Sequence, residues 1–71
     1  MIVIQSNKFI NPYPKRCVID VVVEPSFRWR VLGDDGVYWP AFSLSPIELN
    51  IGDRAYVIGR ENTSLLINNS T

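Results

Sequence analysis

Phe27-Arg28-Trp29-Arg30-Val31-Leu32-Gly33-Asp34-Asp35-Gly36-Val37-Tyr38-Trp39-Pro40-Ala41-Phe42 reads as a β-hairpin. From Phe27 to Val31, apolar and charged residues alternate with a period of two. That is the spacing at which a strand turns successive side chains to opposite faces. Phe27, Trp29 and Val31 are thus expected on one face, with Arg28 and Arg30 opposite. Gly33-Asp34-Asp35-Gly36 is a turn, with Asp35-Gly36 suited to positive φ. Val37 to Phe42 is the return strand, presenting Val37, Trp39 and Ala41 on one face. Pro40 has no N–H to give a ladder, which predicts an edge position or a bulge there.

On the N-terminal side, Arg16 to Val23 reads as a strand that Glu24-Pro25-Ser26 ends. Asn7 to Lys15, with Asn11-Pro12 and Pro14, reads as a loop. Residues 1–15 form a lead-in, in which 1–5 could add a strand. On the C-terminal side, Ser43 to Asn50 is a loop around Pro46 with at most one helical turn, and Asn50-Ile51-Gly52-Asp53 is a turn. Arg54 to Gly59 is a strand with Ala55 and Val57 on one face and Tyr56 and Ile58 on the other. Glu61-Asn62 is a turn, Thr63 to Ile67 the last strand, and 69–71 a polar tail. No window long enough for a stable helix carries an apolar stripe free of Pro and Gly. Five strands over residues 16–68 leave one apolar face bare unless they close. The expected class is therefore all-β, a five-stranded OB-fold-like small barrel, with an SH3-like barrel as the alternative. Its expected core is Val18, Val22, Trp29, Val31, Val37, Ala41, Val57, Leu65 and Ile67.

Composition narrows the chemistry. Seven Lys and Arg balance seven Asp and Glu among 71 residues. Zero net charge argues against a sequence-independent nucleic-acid binder and an electrostatic membrane anchor. With no histidine, imidazole catalysis and His-ligated metals are excluded. A single cysteine, Cys17, allows neither an intrachain disulfide nor a zinc cluster. The lack of disulfides in a small domain fits a reducing, cytoplasmic setting. The apolar start Met1 to Ile4 is too short for a signal peptide, and no run approaches a membrane span. Ser43 and Ser45 have no base partner, and no Gly-rich phosphate loop occurs. Asp34, Asp35 and Asp53 read as turn residues, too sparse for a calcium loop. Neither an enzyme nor a cofactor or metal site is expected.

Two runs carry a family likeness: Gly36-Val37-Tyr38-Trp39-Pro40-Ala41, and the stretch Ile51-Gly52-Asp53-Arg54-Ala55-Tyr56-Val57-Ile58-Gly59-Arg60-Glu61-Asn62-Thr63-Ser64-Leu65-Leu66-Ile67. In their order and spacing they resemble the C-terminal domain of the NfeD family, as a stand-alone short form, over about two thirds of the chain. The departures are Ser26-Phe27 where the family usually has Gly before the strand, Ala55 for a branched residue, and Asn62 for a turn Gly. The resemblance implies an OB barrel. It also implies association with stomatin-like membrane proteins, hence a membrane-associated protein partner. The membrane helices and serine-protease domain of longer members do not occur in these residues, so the resemblance implies no protease.

The candidate binding face comprises Arg28, Arg30, Tyr38, Tyr56 and Arg60. Arg28 and Arg30 around Trp29 fit either a stacking, phosphate-contacting strand or a half-buried strand with solvent-facing arginines. The zero net charge favours the latter. Tyr38, Trp39 and Tyr56 fit a ligand groove or rim packing. Cys17 reads as a buried structural thiol. Three functions follow. A protein-docking module, the preferred reading, predicts exposed apolar or aromatic side chains that no core explains. A single-stranded nucleic-acid binder predicts Arg28, Arg30, Arg54 and Arg60 on one face. A self-assembling structural protein predicts a long open edge strand, for which Met1 to Ile4 is the candidate.

Overall fold

Each apolar run of the chain is flanked by turn chemistry, and in the computed structural model, which describes residues 13–69, the runs become five strands. They are β1 (Arg16–Glu24), β2 (Arg28–Gly33), β3 (Tyr38–Phe42), β4 (Arg54–Glu61) and β5 (Ser64–Asn68). Their order, β1-β2-β3-β5-β4, closes on itself as β1 pairs with β4. All pairings are antiparallel except β3 with β5. This is the expected all-β barrel of OB-like topology. No described residue is helical, so among the described residues no helix is long and apolar enough to cross a membrane. The proposed edge strand Met1 to Ile4 lies outside the described residues.

The turns follow from their residues. Gly36 has φ +82° and Gly52 φ +94°, where a Cβ would be strained. Asn62 takes φ +57° at the β4–β5 turn, a conformation Asn tolerates. Ser26, at φ +73°, was not anticipated; its carbonyl accepts from Ile47 N and lies 3.0 Å from the Ser43 hydroxyl. Asp35 caps the hairpin by accepting from Val37 N and Trp39 Nε1. Asp53 accepts from Asn50 N. Pro40 sits opposite Arg30, between the hydrogen-bonding positions marked by Gly33 N to Val37 O and Ser43 N to Phe27 O. Its missing N–H therefore costs no bond to β2, and β3 pairs with β5 only from Ala41 onward.

The interior holds Cys17, Ile19, Trp29, Val31, Ala41, Leu49, Ala55, Leu65 and Ile67. The small Ala41 lies directly across from the bulky Trp29, so the two volumes complement each other. Five of the nine expected core residues are fully buried, and Val22 and Val57 pack against them half-buried. Two expectations fail. Val18 is 38% exposed, because Cys17 and Ile19 are the inward pair. Between Ile19 and Val21, β1 advances two residues while β2 advances one. This bulge, with Asp20 as the extra residue, reverses the facing of β1 and brings Val22 back inward. Val37 is 49% exposed because β3 starts only at Tyr38, leaving Val37 in the turn. Phe27 similarly precedes β2 and is partly exposed rather than aligned with Trp29.

The connection between β3 and β4 is irregular, as expected, but it inserts Leu49 into the core with Ile47 against it. The end of the lead-in also joins the barrel: Pro14 is buried, Tyr13 packs on the core, and Lys15 O accepts from Val57 N.

Candidate docking surface

Residues directly opposed across paired strands share a face. The registers therefore lay out the outer surface of β4, β1, β2 and β3. One row runs Arg54, Val18, Leu32, Tyr38. The next runs Val21, Arg30, Pro40, and the third Glu24, Arg28, Phe42. Beyond the first row, Tyr56 stands opposite Arg16. Val18, Val21, Tyr38 and Tyr56 are all exposed on this sheet and contribute to no core.

The electrostatics of β2 are settled internally. The bulge aims Asp20 at Arg30, whose Nε donates to Asp20 Oδ2 at 2.8 Å and whose Nη2 donates to the same oxygen. The Arg30 guanidinium also lies over the Tyr38 ring, 5.2 Å from its centroid, a cation–π arrangement. Arg28 pairs with Glu24 at 3.6 Å. Both pairs are solvent-accessible and contribute little stability, but they occupy the arginines.

The structure thus brings Arg28, Arg30 and Tyr38 together. Tyr56 lies on the far side of β1, beside Arg16. Arg60 belongs elsewhere. A bulge between Val57 and Gly59 sets it opposite the buried Leu65, and its guanidinium lies over the Trp39 ring, 5.5 Å from the centroid. Tyr38 and Trp39 are successive residues of β3 and project to opposite faces, so Arg30 and Arg60 serve opposite sides of that strand. The four arginines of the nucleic-acid reading therefore do not form one row.

Two concavities border this surface. An open groove of about 830 Å³ lies between the β1–β2 junction (Val23, Phe27), the end of β3 (Pro40, Phe42) and the β4–β5 junction (Glu61, Thr63). Trp29 borders it, and its Nε1 has no hydrogen-bond partner among the described residues. That atom is sealed from water, so no ligand reaches it without movement of the barrel. A smaller cavity of about 280 Å³ lies over β4, β1 and β2, bounded by Arg16, Val18, Leu32, Asp34, Arg54 and Tyr56. Cys17 lies beneath it, 3% exposed, with Sγ 3.8 Å from Ala55 O. Burial, and secondarily the charge of Asp34, push its thiol up to about 11. Its burial is that of a structural thiol.

The grouping of Arg16 with Arg54 was not anticipated. Both stand at the first position of a strand, and only the β1–β4 pairing that closes the barrel makes them neighbours. Compared with protein-family models, curated proteins and solved structures, the chain matches none of them.

Proposed function

We propose that this barrel is a non-enzymatic docking module that binds a protein partner through the outer surface of β1, β2 and β3. The observation that carries this reading is the exposure of Val18, Val21 and Tyr38 together on one sheet face. Exposed apolar side chains grouped in this way mark interaction surfaces more often than scattered ones do. The five-stranded barrel agrees with the resemblance to the NfeD C-terminal domain. That resemblance supports a membrane-associated, stomatin-like partner, and the lack of a disulfide framework in so small a domain supports a cytoplasmic setting. The nucleic-acid alternative is weaker, since Arg28 and Arg30 are held by Glu24 and Asp20.

The test compares proteins captured from a cell extract by the wild-type chain and by a Val18→Ser/Tyr38→Ser variant whose far-UV spectrum is unchanged. A partner retained by the first and lost by the second supports the reading. Equal capture by both overturns it.

A further inference from the structure

Most arginines of the barrel have an internal destination. Arg28 meets Glu24, Arg30 meets Asp20, and Arg60 covers Trp39. Among the described residues, Arg16 and Arg54 form no ion pair. Asp34 borders their cavity without pairing with either. These two cations nonetheless share one concavity and one face.

Their relative placement is fixed by the seam between β1 and β4. Arg16 is opposite Tyr56 and Val18 is opposite Arg54. The arginines therefore occupy one diagonal of a four-residue cell, and Val18 and Tyr56 the other. Diagonal neighbours in an antiparallel pair are roughly 7–8 Å apart. In an extended chain, residues i and i+2 project to the same side and are about 6.7 Å apart. Two carboxylates at alternate positions of an extended segment thus match the two guanidiniums, and their methylenes would cover Val18 and the Tyr56 ring. Arginine's planar fork suits carboxylate recognition.

We propose that the Arg16–Arg54 cell is the acid-recognition site of the docking surface. Its occupant is an extended segment of the partner carrying Asp or Glu at alternate positions. This inference rests on the docking reading and specifies the partner's chemistry. Paired carboxylates match the two guanidiniums of this cell one to one, whereas a phosphate backbone is tracked by a longer array of cations, so a peptide is the favoured occupant.

The experiment is an amide NMR titration of the full chain at low and moderate salt. The probes are acetyl-Glu-Ser-Glu-amide, its Gln-Ser-Gln counterpart, acetyl-Glu-Ser-Ser-Glu-amide, and a short oligothymidylate. The expected result is saturable shifts at Arg16, Val18, Arg54 and Tyr56 with the Glu-Ser-Glu peptide, weaker with the four-residue spacing and absent with the Gln peptide. Arg16→Gln and Arg54→Gln, each with an otherwise native spectrum, should each reduce affinity about two- to fivefold. Equal shifts with the Gln peptide, insensitive to either substitution, would overturn acid recognition and leave docking standing. Absence of shifts at these residues with every peptide also overturns it, while the capture experiment decides docking separately. Preferential, steeply salt-dependent binding of oligothymidylate would overturn both readings.

Discussion

Gly33 and Pro14 are packed so tightly that a Cβ on Gly33 would lie 2.6 Å from Pro14 Cγ. The same Cβ would meet Asp35 Oδ1 at 2.5 Å, an atom committed to Val37 N. Gly33 thus lets Pro14 of the lead-in pack closely against the β2–β3 end of the barrel. Gly33→Ala is expected to destabilise the chain by about 1–3 kcal/mol through overpacking. Pro14→Ala in the same background should restore part of the loss. Denaturant midpoints of the single and double variants check this, and strict additivity would count against the contact.

The barrel interior gives a sharper outcome at Val31, which is completely buried opposite Ile19 and Trp39. Val31→Asp places an unpaired carboxylate there and should leave the chain unfolded at room temperature. A dispersed amide spectrum for this variant would contradict the facing of β2.

Trp29 tests a different balance. It fills the barrel, yet its Nε1 is unsatisfied. Trp29→Ala should cost about 3–5 kcal/mol. Trp29→Phe removes the orphan donor along with part of the ring, and should cost no more than about 2 kcal/mol. Urea unfolding followed by circular dichroism separates the two.

Cys17 makes stability depend on alkaline pH. Its thiol is pushed up to about 11 in the folded chain, from 9.0 when exposed. Below 9.0 both states carry the proton, and the full contribution is present. Between these values the unfolded chain releases its proton while the folded one keeps it. Stability therefore falls as pH rises, by roughly 3 kcal/mol across the window. Cys17→Ala should flatten the profile between pH 9 and 11 relative to wild type. Parallel profiles would rule this contribution out.

The alternation around Trp29 and the turn at Asp35-Gly36 were legible because local sequence alone decides them. The facing of β1 was not. Its period of two is broken at Asp20 by a bulge that becomes visible only beside β2. Arg60 falls outside the expected face for the same reason, since the bulge after Val57 sets it opposite Leu65. Leu49 looked like a loop residue because its burial depends on where a turn-rich connection lands. The proximity of Arg16 and Arg54 follows from barrel closure, a pairing between segments far apart in the chain.

The parallel contact of β3 with β5 spans only Ala41 with Leu65 and Phe42 with Leu66. In kinetic terms, it divides the chain into a locally connected meander, β1–β2–β3, and a local hairpin, β4–β5. Each piece needs only short loops, whereas joining them means closing the connection from Ser43 to Asp53. That entropy must be supplied before the long-range contacts compensate for it. Joining the halves should therefore limit the folding rate. Doubling this connection with a Gly-Ser insert next to Leu44, which is exposed, should slow folding about threefold and leave the unfolding rate nearly unchanged.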